Sequence, residues 1–180
     1  MDYDLSPEVR ERLLRLAFYL DTLPRNYSEF DMDSFFEGKD DDVSGKLERR
    51  YARKNGGVAA CGTTACAIGH GPSAGIPVPD VFIGKDSSSG KWRVNWSAYG
   101  DLFTGPDNDM MIYKWLFDSD WSDVDNHHYG AAARIKYLLM GEKIPDDFLY
   151  AKEEHRALYA KYRKRKFREQ DAKQDDTYLF

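Results

Sequence analysis

The segment 58–72 constrains the fold more than any other part of this 180-residue chain. Its sequence is V-A-A-C-G-T-T-A-C-A-I-G-H-G-P, which is the only long stretch without a charged residue apart from the titratable His70, and it contains both cysteines. Small side chains allow other elements to approach a backbone closely. We therefore predict a short buried helix at a crossing point, with Cys61 and Cys66 filling the interior as small hydrophobic residues.

The length and composition indicate a single ordered domain. Hydrophobic residues make up 42% of the chain and aromatic residues 14%, which excludes a disordered protein. No apolar run reaches the roughly 20 residues that span a bilayer, and the N-terminal sequence M-D-Y-D-L-S-P lacks the pattern of a signal peptide. We therefore expect a cytoplasmic protein that does not enter the membrane and that keeps its two thiols reduced.

Helical periodicity predicts most of the elements. The first helix begins with Ser6 as a capping residue and Pro7 at the first helical position. Its apolar side chains then recur at the spacing of a core-facing helix, namely Val9, Leu13, Leu16, Ala17 and Leu20. Further helices are predicted over 107–117 and 126–140, the latter ended by Gly141, and from 146 to 162 with Phe148, Leu158 and Tyr159 on its inner side. A single capped turn is predicted at 31–36.

Two short β-prone segments predict a hairpin. The segments 81–83 and 92–96 flank the sequence K-D-S-S-S-G, and Trp92, Val94 and Trp96 alternate on one face. An isolated hairpin is marginally stable, so this face must pack against the helices. The predicted fold class is α+β and predominantly α-helical, with five or six helices and one β-hairpin around residues 81–96. Residues 1–160 are expected to form one compact globular domain, followed by a charged C-terminal extension, 161–180, with an apolar end.

The extension carries a strongly basic run. Residues 161–168, K-Y-R-K-R-K-F-R, carry a charge of +6. Because the net charge of the whole chain is −5, the remaining residues together carry −11. Nucleic acid is not the expected partner, because most of the surface would repel it. The basic run and the terminal T-Y-L-F instead indicate a protein partner, or self-association through the tail. The predicted partner-binding residues are Arg163, Lys164, Arg165, Lys166, Arg168, Tyr178, Leu179 and Phe180. A solvated helix end is the alternative interpretation of the basic run.

The cysteines allow an alternative in which the protein is a thiol-dependent enzyme. A thiol in the first turn of a helix is favoured as a reactive thiolate, and a histidine can act as its base. Cys61 or Cys66 would then be the nucleophile and His127 or His128 the base, oriented by Asp123 or Asp125; the preferred catalytic set is Cys61, Cys66 and His128. The sequence lacks the usual signatures of phosphate loops, metalloproteases and serine hydrolases. We therefore expect a non-enzymatic protein without a cofactor.

Zinc binding is the other alternative. Cys66 and His70 are spaced i, i+4, so on a helix both side chains leave the same face. Together with Cys61 and one of His127 or His128, of which His127 is the preferred ligand, they would supply two sulfur and two nitrogen ligands, the set that holds zinc. The spacing C-x4-C is not the usual C-x2-C knuckle.

The sequence C-G-T-T-A-C-A-I-G-H, with an upstream F-D-M and the downstream D-N-H-H-Y-G-A-A-A-R-I-K-Y-L-L-M-G, resembles a group of small bacterial and bacteriophage proteins. These carry a C-G-T-x-x-C-x-x-G-H/W element and an alanine-rich helix. The resemblance covers about 50 residues. It implies a bacterial or phage origin and an intracellular or virion setting, and it implies no particular reaction. The occurrence of Trp at the position of His70 in this group argues against an obligatory metal ligand there.

Overall fold

The computed structural model describes residues 5–27, 30, 37–38, 63–64, 66–85, 87, 90, 92–105, 110–118, 121, 126–148, 152–165 and 167. Five α-helices lie within this part of the chain: α1 (Pro7–Thr22), α2 (Trp96–Gly100), α3 (Met110–Phe117), α4 (His128–Leu139) and α5 (Lys152–Ala160). The strands are β1 (Glu37–Gly38), β2 (Thr63–Thr64), β3 (Ile83–Lys85) and β4 (Trp92–Val94). Two 3-10 turns, Asp80–Phe82 and Asp101–Phe103, complete the described elements. The predicted fold class, α+β and mainly helical, is confirmed.

Helix α1 forms as its sequence predicts. The hydroxyl of Ser6 accepts a hydrogen bond from the amide of Val9 at 3.3 Å, and Pro7 occupies the first helical position, where its missing N–H leaves no bond unmade. The five residues predicted to face the core are the buried residues of this helix: Val9, Leu13, Leu16, Ala17 and Leu20. The helix ends at Thr22, two residues before Pro24, as the sequence predicts.

Helices α1 and α4 form the central pair of the fold and run antiparallel. Arg10, in the first turns of α1, donates a hydrogen bond to the carbonyl of Leu139 at the end of α4. His128, at the start of α4, contacts the carbonyl of Leu20 in the last turn of α1. Alanines at 131–133 are fully buried, and small side chains permit this close packing. Gly141 ends α4 in a left-handed conformation with φ of 77°, as predicted.

An aromatic cluster joins α3, α4 and α5. Trp115 is completely buried and its indole N–H donates to the carbonyl of Arg134 at 3.2 Å. Its ring makes edge contacts with the rings of Trp121, Phe148 and Tyr159. Phe148 and Tyr159 are buried as predicted, but Phe148 lies in turns before α5 rather than in a helix that begins at 146, and Leu158, predicted on the same side, is 38% exposed.

The predicted hairpin is present but shorter. Strands β3 and β4 are antiparallel, with Ile83 opposite Val94. Val81 lies in a 3-10 turn rather than in the first strand. Trp96 is buried, yet it is the first residue of α2 rather than the end of the second strand, because the side chain of Asn95 caps that helix by accepting from the amide of Ala98 at 3.1 Å.

The helix predicted within 58–72 is wrong where the structure describes the segment. Thr63 and Thr64 form strand β2, which pairs antiparallel with Glu37 and Gly38. β-branched side chains favour an extended backbone, and two consecutive threonines therefore oppose a helix here. Residues 67–75 form a series of turns instead. The capped turn predicted at 31–36 lies outside the described residues.

Among the described residues, none of the helices combines the length and the apolar character that a membrane crossing requires.

Candidate functional site

The turns that follow strand β2 carry Cys66 and His70 into the interior. The amide of His70 donates to the carbonyl of Cys66 at 3.0 Å, so these residues make one turn of helical geometry. Residues 66–72 are all buried. A Cβ atom on Gly71 would lie 2.9 Å from Cε1 of Tyr99 and closer still to its hydroxyl oxygen. The small side chains therefore allow the close approach that the sequence indicated, although in turns rather than in a helix.

His128 lies at the junction of α1 and α4. Its side chain is fully buried, with Nδ1 2.9 Å from the carbonyl oxygen of Leu20 and Nε2 2.9 Å from that of Pro24. Burial lowers the pKa of His128, although the two carbonyl contacts and Asp21 act in the opposite direction. Both nitrogen atoms of the imidazole are thus held against main-chain oxygens at the end of α1.

His70 and His128 share one group of aromatic rings, which we call the histidine cluster. The imidazole of His70 stacks on the ring of Phe30 at 5.6 Å, and that of His128 meets the same ring edge-on at 5.9 Å. The other members of the cluster are Tyr19, Tyr27, Tyr129 and Phe167. Aromatic rings at these separations stabilise one another beyond simple burial. The cluster therefore joins α1, the turns at 66–75, α4 and the start of the C-terminal extension.

The predicted catalytic residues are only partly within the described chain. Cys61 lies outside it, and Cys66 is 3% exposed. Cys66 also lies close enough to Tyr113 of α3 to contribute to its raised pKa of about 12, for which burial is the main cause. His128, the predicted base, directs both nitrogens to backbone carbonyls. A base must direct a nitrogen to the proton that it removes, so this orientation does not favour catalysis.

Two of the predicted zinc ligands, His70 and His127, differ in solvent exposure. His70 is buried in the histidine cluster, whereas His127 is exposed in front of α4 and stacks on Tyr129 at 5.5 Å. Within the described ranges, no three His, Cys, Asp or Glu side chains are grouped so that they could hold a metal ion. Zinc binding stays a prediction, because Cys61 lies outside those ranges.

The start of the basic run packs on the body of the domain. Arg163 is 5% exposed, with its guanidinium 5.8 Å from the centre of the Tyr159 ring. The ammonium of Lys164 donates to the carbonyl of Asp21 at 3.2 Å. Arg165 is exposed. The side chain of Lys166 and residues 168–180, which include the predicted contacts Arg168, Tyr178, Leu179 and Phe180, lie outside the described part of the chain.

Phe167 is a buried contact that the sequence analysis did not identify. Its ring lies 4.9 Å from that of Tyr129 and 5.9 Å from that of His128. Its carbonyl accepts from Arg25 at 3.4 Å. The run contains two aromatic residues, Tyr162 and Phe167, among its six cations, and an aromatic residue placed among charges is the sequence signal that could have indicated a buried contact.

The outer face of α1 carries two exposed apolar side chains. Leu14 is 60% exposed and Phe18 is 72% exposed, one helical turn apart. Leu14 and Phe18 are apolar but lie off the buried face of this amphipathic helix. Their spacing in the sequence could therefore have indicated an exposed apolar pair. Beside them, a cleft of about 360 Å³ separates α1 from the segment 75–79. Its charged wall consists of Glu8, Glu11, Arg12 and Arg15, and its apolar wall of Ile76, Pro77, Pro79 and Leu102.

The described part of the chain is thus a mainly helical α+β domain with buried imidazoles and an apolar patch on its first helix. Comparisons with known protein families, with curated proteins and with solved structures gave no match.

Proposed function

We propose that this chain is a non-enzymatic binding or assembly protein of bacterial or phage origin that acts through its surface and its C-terminal tail. The main observation in support is the location of its chemically versatile side chains. Cys66, His70 and His128 are buried in packed interior positions, where a substrate would have no access. The apolar side chains of Leu14 and Phe18 are at the surface instead.

The route of the C-terminal segment adds support. Lys164 and Phe167 attach this segment to the end of α1, through the carbonyl of Asp21 and through Arg25. Phe167, the last described residue before the tail 168–180, therefore lies near the end of the helix that carries the exposed apolar pair. Exposed apolar side chains that lie next to each other in one patch can mark a binding surface.

Alkylation of the folded protein tests the non-enzymatic assignment. Iodoacetamide at neutral pH should modify Cys66 at least about 100-fold more slowly in the folded protein than in urea, because a buried thiol reacts only when the structure opens. Peptide mass spectrometry would follow Cys61 and Cys66 separately. Rapid modification of either cysteine in the folded protein would favour the thiol enzyme and count against the proposal.

Deletion of 171–180 tests the role of the tail. The shortened chain should fold, since the buried Phe167 is retained, but should lose association with the protein partners that the tail binds. Light scattering would report the oligomer mass, and circular dichroism would serve as the folding control. Unchanged association after the deletion would remove the tail from the proposal.

A further inference from the structure

The outer surface of α1 contains both a projecting aromatic side chain and a recess of suitable size. Phe18 projects into solvent, and the cleft of about 360 Å³ lies along the preceding two turns of the same helix. Glu11, in the wall of the cleft, precedes Phe18 by seven residues, which is roughly 10 Å along a helix axis. The projection and the recess are therefore close neighbours on one surface of one chain.

The charges of the cleft favour a neutral occupant. Its wall contains two carboxylates and two guanidiniums, and Glu11 pairs with Arg15 at 2.5 Å. Arg12 donates to the carbonyl of Leu102 at 3.0 Å. A ligand with net charge would meet no excess of the opposite sign here. An aromatic ring, in contrast, can pack on the prolines of the apolar wall and lie against a guanidinium.

A twofold axis can place the projecting Phe18 of one copy opposite the cleft of the other copy. If two copies of α1 lie antiparallel with the axis beside Leu14 and Arg15, Phe18 of each copy comes opposite Glu11 of the other. The two Leu14 side chains then meet near the axis. Two other described charges on α1 make contacts within their own chain, since Arg10 donates to Leu139 and Asp21 pairs with Lys136. A patch that is complementary to itself in this way closes a dimer.

We propose that the cleft beside α1 receives Phe18 from a second copy of this chain, so that α1 forms an antiparallel, twofold-symmetric dimer contact. This inference rests on the proposed function, for which it names the partner and the surface. Two aromatic side chains and one pair of helices form an interface at the small end of the known range, so the dimer should be weak and concentration-dependent.

Sedimentation equilibrium of the full chain, from about 2 to about 200 µM, tests the proposal. The mass should rise from the 20.8 kDa of one chain toward twice that value. Phe18→Glu, which removes the projecting ring, and Pro77→Glu, which places a carboxylate in the cleft, should each weaken the dimer at least about tenfold. Met110→Glu is the matched control, because Met110 is 58% exposed on α3 and lies outside the cleft. Phe18 and Met110 each carry an exposed apolar side chain on a helix, so their substitutions by glutamate are directly comparable. Circular dichroism would verify that each of the three variants folds.

The opposing results are distinct. A monomer over the whole range, or a dimer that Phe18→Glu and Pro77→Glu leave intact, would overturn the proposal. A monomer that dimerises only after deletion of 171–180 would assign the cleft to the chain's own tail and would overturn it as well. None of these results depends on cysteine alkylation, so failure of the dimer and failure of the non-enzymatic assignment can be told apart.

Discussion

The Nδ1 atom of His128 lies 2.9 Å from the carbonyl oxygen of Leu20, which ties the first turn of α4 to the last turn of α1. The other ring nitrogen, Nε2, faces the carbonyl of Pro24 at the same distance. A neutral imidazole has one N–H and can donate to only one of these oxygens, whereas the imidazolium could donate to both but must be buried with its charge.

Acid should therefore destabilise the protein through His128. Burial lowers its pKa in the folded state, so as the pH falls the unfolded chain takes up a proton first, near the ordinary value of about 6.5. The contribution is fully present above that pH and is lost progressively below it. Urea unfolding at about pH 7.5 and about pH 5.5 measures the effect.

The variant His128→Gln isolates this contribution, because glutamine does not titrate. It should cost roughly 1–3 kcal/mol at pH 7.5, through imperfect contact with the two carbonyls, and should reduce the loss of stability on acidification. His155→Gln is the control, since His155 bonds to the exposed Asp147 at 2.9 Å. An equal loss on acidification in wild type and in His128→Gln would contradict the assignment to His128.

Neighbouring residues of α1 should respond very differently to truncation. Leu13 is completely buried, so Leu13→Ala should lower the free energy of unfolding by about 2–5 kcal/mol. Leu14 is 60% exposed, so Leu14→Ala should change it by no more than about 0.5 kcal/mol. The comparison uses urea unfolding at low protein concentration, where self-association does not contribute. Similar costs for the two substitutions would mean that the outer face of α1 is covered in the folded monomer.

Gly71 and Gly84 form a second matched pair. In Gly71→Ala the new methyl group would meet the ring of Tyr99, whose hydroxyl donates to the carbonyl of Ile76, and we expect a loss of about 1–3 kcal/mol or more. Among the described residues, no atom beyond its chain neighbours lies within 4 Å of a Cβ placed on Gly84, so Gly84→Ala should be nearly neutral. Thermal unfolding of the two variants checks the difference. A neutral Gly71→Ala would show that Tyr99 can move away at little cost.

Local patterns in the sequence correctly predicted those structural features that depend only on neighbouring residues. The cap at Ser6, the apolar spacing of α1 and the left-handed Gly141 are of this kind, and all three are confirmed. The prediction at Thr63 and Thr64 was wrong because β2 depends on pairing with the distant residues 37–38. For the candidate site, the sequence indicated a buried small-residue segment. It could not show that His128 reaches carbonyls more than 100 residues earlier in the chain, since no local pattern reports such a contact.

The basic run supplies the last prediction, because two of its arginines have opposite environments. Arg163 is 5% exposed and lies over the ring of Tyr159, so Arg163→Ala should lower the free energy of unfolding by about 1–3 kcal/mol through lost packing of its stem and guanidinium. Arg165 is exposed, so Arg165→Ala should change stability by no more than about 0.5 kcal/mol.

Binding assays on the same two variants would separate structure from recognition in this run. If the run meets a partner, Arg165→Ala should weaken that association without changing the unfolding curve, since an exposed cation acts mainly on encounter and electrostatic attraction. Arg163→Ala should affect association only to the extent that it unfolds the segment attached to Asp21 and Arg25. A stable Arg163→Ala variant that loses association would instead mean that this arginine leaves the ring of Tyr159 to contact the partner directly.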